Sequence, residues 1–480
     1  MAFAFLMVLD FFVKYLMCGE HTMRVKLLNW LRSFAENFWL VPLLFMLAAT
    51  GLALLNTYLD EQYFAGDKIA LSHLLYFNDL DSVRALLGTI AGSVLGVAGV
   101  SFSITIASLT LASQQFGPRL LRNFMSDRFN QVVIGTFLAT FLYCLLLLQF
   151  TSAADEVGYV PIISMLTALF LIVVNLLMLV FFIHHISTVI QADNLIIDVH
   201  QELVKHLQRN FPTTNDGGNK VYKEQLPDDA LAQLERQGKP FYARRSGYFQ
   251  ALDDEGLIQF AANHDLIVQL NYKQGDYVIQ GTPFGKCLGA HEMDDELENK
   301  LLSFFIVGSL QTADQDTAFA MRQLIEIGVR ALSTGINDPF TAVACIDRLG
   351  DAMAYVMNKA FPQGLFFDQD GHLRVQLQPD SFGLMLDNAF SQIRQNSEFH
   401  VVIVVRLLNT MEKLAVQVRN SEQAHALLTQ VNAIYQDSLD GIPAIIDQER
   451  VQGEYERVIR TLDASGFVNV PADAMTQPKD

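Results

Sequence analysis

No charged side chain occurs between Arg84 and Arg119. A helix rises about 1.5 Å per residue, so this run reaches roughly 50 Å against a bilayer core of about 30 Å. Lipid offers no partner to backbone N–H and C=O groups, so a helix is the economical way for such a run to satisfy them. The segment therefore predicts an integral membrane protein.

The run is chemically odd for a helix that meets only lipid. Gly88, Gly92 and Gly96 stand four apart and Gly99 follows, while Ser101, Thr105, Ser108 and Ala112 come after them. At about 100° per residue the last four fall within an arc of roughly 60°, opposite the glycine edge. Ser103 and Thr110 continue the glycine line, and Ile90, Val94 and Val97 continue the hydroxyl line toward the other end. Small residues at this spacing let helix backbones approach closely, and hydroxyls in lipid need a backbone or water partner. Two readings stay open: an inner helix packed on both faces, or a helix that packs by its glycine edge and lines a wet path with the other. In the second, Ile90, Val94 and Val97 make a dewetting constriction.

Hydropathy and length identify four spans: residues 38–58 with Trp30, Phe38 and Trp39 as interface anchors, the run just described, residues 132–150, and residues 161–186. Arg24, Lys26 and Arg32 precede the first, and Arg119, Arg122 and Arg128 separate the second from the third. The other loops are read as acid-rich, with Asp60, Glu61, Asp67, Asp79 and Asp81 after span one and Asp155 and Glu156 after span three. The positive-inside rule then puts both termini in the cytoplasm of a bacterial inner membrane. No acid or base is expected inside the spans, which argues against proton-coupled transport. His184 and His185 mark the end of span four, as interface histidines satisfied by water or headgroups or as a pH sensor. The first residues make a poor signal peptide, and Met23 is the more natural start; the alternative is a surface-lying amphipathic helix.

The remainder of the 480 residues divides into an N-terminal extension (1–29), the membrane part (30–190), an extended helix and linker (191–241), a small β-rich module (242–292), a helical domain (293–465) and a tail (466–480). Span four is expected to run on as one helix to Asn210, because Leu195, Ile196, Val199, Leu203 and Leu207 keep helical period. The Gly275-Asp276-Tyr277-Val278 turn resembles half of a biotinyl or lipoyl barrel, without a lysine at a carrier tip, and reads as structural. Phe366 to Leu377 reads as a hairpin turning at Asp370-Gly371; Asp368 and Asp370 open like a calcium loop, but no glutamate stands at the twelfth position. A net charge of -18 speaks against nucleic acid as a partner. Four scattered cysteines give no zinc spacing, and nucleotide-binding, hydrolase and metalloprotease motifs are missing, so no enzyme, cofactor or metal is expected.

The densest local text runs from Gln311 through Asp314 and Asp316, along Arg322, Glu326 and Arg330, to Ala331-Leu332-Ser333-Thr334-Gly335-Ile336-Asn337-Asp338-Pro339. Arg322, Glu326 and Arg330 share one helical face, Gly335 is expected to end that helix, and Asp338-Pro339 suits the cap and first position of the next. With Asn337 and Asp338 they read as a structural ion-pair network, or as an anion or metal site. Here, and at Ala112-Ser113-Gln114-Gln115-Phe116-Gly117-Pro118-Arg119, the chain resembles the bacterial membrane-protein family known as domain of unknown function 2254, with Thr334 where that family usually has Pro. The resemblance implies four spans and a cytoplasmic domain, and no activity.

The fold expected is thus an α-helical membrane protein with four transmembrane helices and a cytoplasmic α+β region. The expected function is a homo-oligomeric channel for inorganic ions lined by span two, with the bilayer and further copies of the chain as partners; the alternative is a membrane-anchored sensor or scaffold that conducts nothing.

Overall fold

The computed structural model describes residues 39–64, 80–117, 127–153, 161–189, 191–211, 228–289, 294–311, 317–359, 361, 364–378, 380–397 and 399–468. The N-terminal extension and most of the tail lie outside them. The chain forms two compact units, Asn29–Asn194 and the remainder from Leu195 onward.

The first unit holds α1 (Leu40–Phe64), α2 (Leu80–Phe116), α3 (Arg128–Ala153) and α4 (Ile162–Val189). Among the described residues these four are long and apolar enough to cross a membrane. The bundle is built around α3, which packs along α1, α2 and α4. In its most apolar stretch 61% of residues are buried, against 17% for α2. Gly135 explains part of this: a Cβ there would lie 3.1 Å from Pro42 Cα, so the glycine lets α1 and α3 approach backbone to side chain. Asp127 starts α3, its Oδ1 accepting from Phe129 N at 2.9 Å.

Span four does not continue unbroken. Gln191 lies outside both α4 and the next helix, α5 (Ala192–Asn210). The cause is local competition for backbone groups. Thr188 Oγ1 donates to His185 O, and Asn194 Nδ2 takes the Thr188 carbonyl at 2.8 Å.

The second unit continues with α6 (Asp228–Gln237), β1 (Lys239–Tyr242), β2 (Gly247–Leu252), α7 (Asp254–Asn263), β3 (Leu266–Leu270), β4 (Tyr277–Val278), β5 (Pro283–Gly289), α8 (Asp295–Leu302) and β6 (Phe305–Gly308). Then come α9 (Thr317–Ala331), α10 (Pro339–Met357), β7 (Leu365–Phe367), β8 (Leu373–Gln376), α11 (Phe382–Gln395), α12 (Val401–Ala415), α13 (Ser421–Gly441) and α14 (Ile445–Ala464). A five-stranded sheet has the order β1-β5-β3-β8-β7 and a three-stranded one the order β4-β2-β6. The first therefore takes strands from the 366–377 hairpin, far along the chain from residues 242–292. β3 pairs with β5 and with β8, whereas β4 pairs with β2, so the Lys273–Asp276 turn does not close a β3–β4 hairpin. Phe241, Phe249, Phe284 and Phe305 pack ring against ring in the core over these strands.

Candidate functional site

Ala49, Ala53, Asn56 and Asp60 follow one another at helical spacing along α1, and all four are buried. Asp60, expected in an acidic loop, is thus inside the bundle: α1 runs on to Phe64 and turns the carboxylate inward. Its Oδ1 accepts from Ile163 N at 2.8 Å; its Oδ2 accepts from Ser164 N at 3.0 Å and Ser164 Oγ at 2.6 Å. The first turn of any helix leaves backbone donors unpaired, and here another helix supplies the acceptor, at the positive end of the α4 dipole. An acid does therefore sit within a span, a correction to the expectation.

The polar contacts spread from there. Tyr143 of α3 donates its hydroxyl to Ser164 O at 3.0 Å and accepts from Asn56 Nδ2 at 2.9 Å. Asn56 Nδ2 also donates to Thr167 Oγ1 at 2.9 Å. Further along, Asn175 Nδ2 donates to Thr140 Oγ1 and to Leu171 O, both at 2.7 Å. At the far end of α4, His185 Nε2 lies 2.6 Å from Asp127 Oδ2, and its ring stands 4.5 Å from that of Phe129. His185 thus has a protein partner; His184 is exposed. Both Asp60 oxygens are occupied by donors of α4, so the arrangement joins helices. It presents no free carboxylate for acid–base chemistry.

The two faces of α2 are placed as follows. Ile90, Val94, Ser101 and Ala112 are buried, Val97, Thr105 and Ser108 half-buried. Ile90 and Val94 belong to the bundle core with Val133, Phe137 and Tyr143. Gly88, Gly92, Gly96 and Gly99 have nothing within 4 Å of an added Cβ, so among the described residues nothing packs on that edge. Ser103, Thr105 and Thr110 donate to carbonyls four residues back along the same helix, which satisfies them without water.

The described part of the charged segment of the second unit is placed as follows. Asp314 and Asp316 lie outside the described residues. Glu326 and Arg330 approach to 3.9 Å, and Arg322 is half-buried on the same helix. The helix ends at Ala331, before Gly335, and the left-handed residue is Asn337 at φ +50°. Asparagine tolerates that conformation better than most residues. Asp338 N–H then donates to Ala331 O at 2.8 Å, and its carboxylate caps α10 through Thr341 N and Thr341 Oγ1, with Pro339 in the first turn. In the 366–377 hairpin, Asp368, Asp370 and His372 bring ligand atoms within 4.8 Å of one another. Asp368 is already engaged, accepting from Arg374 Nε at 2.7 Å and from His372 N at 2.8 Å. Burial pushes its carboxyl up, but Arg374 and these hydrogen bonds outweigh that and hold it below its ordinary range. Cys144, Cys287 and Cys345 are free and buried, and burial raises the Cys287 thiol to about 11; Cys18 lies outside the described residues.

The sequence profile of the family described as "Predicted membrane protein (DUF2254)" matches residues 35–413. The chain is similar to "Uncharacterized protein MT1328" of Mycobacterium tuberculosis (strain CDC 1551 / Oshkosh), 27% identical over 85% of this chain and 78% of that protein. It is similar to "Uncharacterized protein Mb1321c" of Mycobacterium bovis (strain ATCC BAA-935 / AF2122/97), 26% identical over the same shares. No solved structure matches it.

Proposed function

Because the chain belongs to the predicted membrane protein family DUF2254, we propose that it works as a membrane-anchored sensor or scaffold, with α1–α4 as a closed anchor and the unit from Leu195 onward as the part that meets a partner. The carrying observation is the placement of the candidate pore line: Ile90, Val94, Ser101 and Ala112 are buried in the chain itself, and Ile90 and Val94 are core residues of the bundle. A wet path along that line needs the bundle to come apart. The polar cluster around Asp60 supports the same reading, since Asp60, Asn56, Tyr143 and Ser164 satisfy one another. In this reading the anchor lies in a bacterial inner membrane with both termini cytoplasmic, on the strength of the arginine-bearing loops, and no catalytic step belongs to it.

A second reading has its own observation. The glycine edge of α2, on which no described residue packs, is a surface on which copies of the chain can meet. An ion pore in such a homo-oligomer would be lined by that edge. Planar-bilayer recording of the purified protein separates the two. An anchor gives no unitary current; a current abolished by Ser103→Trp, on the glycine edge, would replace the anchor with the pore.

A further inference from the structure

Five large apolar side chains of the second unit, Phe340, Phe399, Val402, Ile445 and Ile446, are each more than half exposed. Scattered apolar exposure is ordinary; a cluster of large residues marks a contact surface. Helix register brings these to one end. α10 and α12 run parallel: Arg406 bonds Asp347, Asn358 Nδ2 donates to Gln417 Oε1, and both pairs are 59 residues apart. The same offset sets Phe399 level with Phe340. α13 returns antiparallel to α12 after a short turn, and α14 reverses again, with Tyr455 stacked on Tyr435 and its hydroxyl bonded to Asn432. The beginnings of α10, α12 and α14 therefore share one end of the bundle.

That end is also where the chain arrives from its last span. α5 lies parallel to α10, since His200 Nε2 is 3.0 Å from Asp351 Oδ2 and the Phe211 and Phe361 rings are 5.2 Å apart. The start of α5 is thus at the Phe340 end. Only residues 190 and 191 separate it from α4, a tether of about 10 Å when extended. Asp440, Glu449 and Arg450 are exposed at the same end, with acid in excess, so attraction to anionic headgroups does not account for the patch.

We infer that this end of the helical bundle is a lipid-contact surface, whose Phe340, Phe399, Val402, Ile445 and Ile446 insert into the headgroup boundary of the leaflet in which α4 ends. Shallow insertion of apolar side chains from a tethered domain needs no specific headgroup. Holding the protein to one leaflet in this way fixes which of its surfaces stay open to a partner.

The test uses the full chain in phosphatidylcholine nanodiscs, with Cys18→Ser so that the native cysteines left are the buried Cys144, Cys287 and Cys345. Ile446→Cys, Phe340→Cys and, at the opposite end of α12, Val416→Cys each carry a nitroxide. Power saturation should show the labels at 446 and 340 relaxed by oxygen and several-fold less accessible to a water-soluble nickel chelate than the label at 416. Labels at 446 and 340 as open to nickel as that at 416 would overturn the proposal. So would labels shielded from both reagents, the signature of a second copy or another protein on the patch.

Discussion

α2 and α3 are both long, apolar and hydroxyl-bearing, yet they do opposite work. α2 has 37 residues and keeps most of its surface outward; α3 has 26 and is wrapped by its neighbours. The glycines differ in the same way: among the described residues Gly88, Gly92 and Gly96 of α2 meet no neighbour, while Gly135 of α3 touches Pro42 and Phe45. Hydropathy and small-residue spacing describe a helix that is able to pack closely, and do not say whether its partner is in the same chain. Polar side chains say more, because each must find a particular partner in lipid, and Tyr143 and Thr140 of α3 find theirs on α1 and α4.

The sharpest way to break the contrast is to remove the acid that ties α1 to α4. Asp60→Ala orphans two backbone donors and a hydroxyl, at an expected cost of about 4 kcal/mol. Thermal unfolding in detergent should register it, with Asp60→Asn less severe because one acceptor oxygen remains. A fall no larger than that of a surface substitution would mean that the two helices are held by packing alone. Next in size is a pair of matched changes. Gly135→Leu forces a side chain against Pro42 and should cost about 1–3 kcal/mol, whereas Gly92→Leu on α2 should stay within about 0.5 kcal/mol of the parent. Equal losses from the two would show that α2 is as fully packed as α3. Tyr143→Phe, which removes one bridging hydroxyl, comes below these at about 1 kcal/mol by the same melting measurement.

The smallest expected effect lies in the other unit, at α5. Burial first, and then Arg348, hold His200 below its ordinary 6.5, against the opposing pull of Asp351. The unfolded chain then binds the proton more readily, so stability rises with pH through that window and falls as pH drops below it. Protection factors along α5, after correction for the intrinsic pH dependence of amide exchange, should fall between about pH 7.5 and about pH 5.5, and His200→Gln should flatten that response. Lower protection factors at the higher pH would reverse the sign and the account with it.

What could be read from the residues was set by how local each signal is. The four spans follow from composition over a long window, and the Asp338 cap from a few adjacent positions. A carboxylate after an apolar run looks like the end of a span, which is why the sequence points Asp60 into a loop. The spacing of Ala49, Ala53, Asn56 and Asp60 was the signal that it belongs to a buried stripe. That Ser164 receives it, at the start of a helix more than a hundred residues on, is a long-range fact that no local pattern holds. The break at Gln191 escaped for the opposite reason: hydrophobic period runs straight through it, and only Asn194 reaching the Thr188 carbonyl ends one helix and starts the next.

The parallel pairing of Val268 with Val375 and Gln269 with Gln376 also orders events during synthesis. The third strand of the larger sheet must wait for a segment made long afterwards, so its core cannot close while the intervening α8–α10 region is still emerging from the ribosome. The nascent chain carries half-finished strands through that interval. A truncation that stops before residue 373 therefore leaves an open sheet edge and invites aggregation.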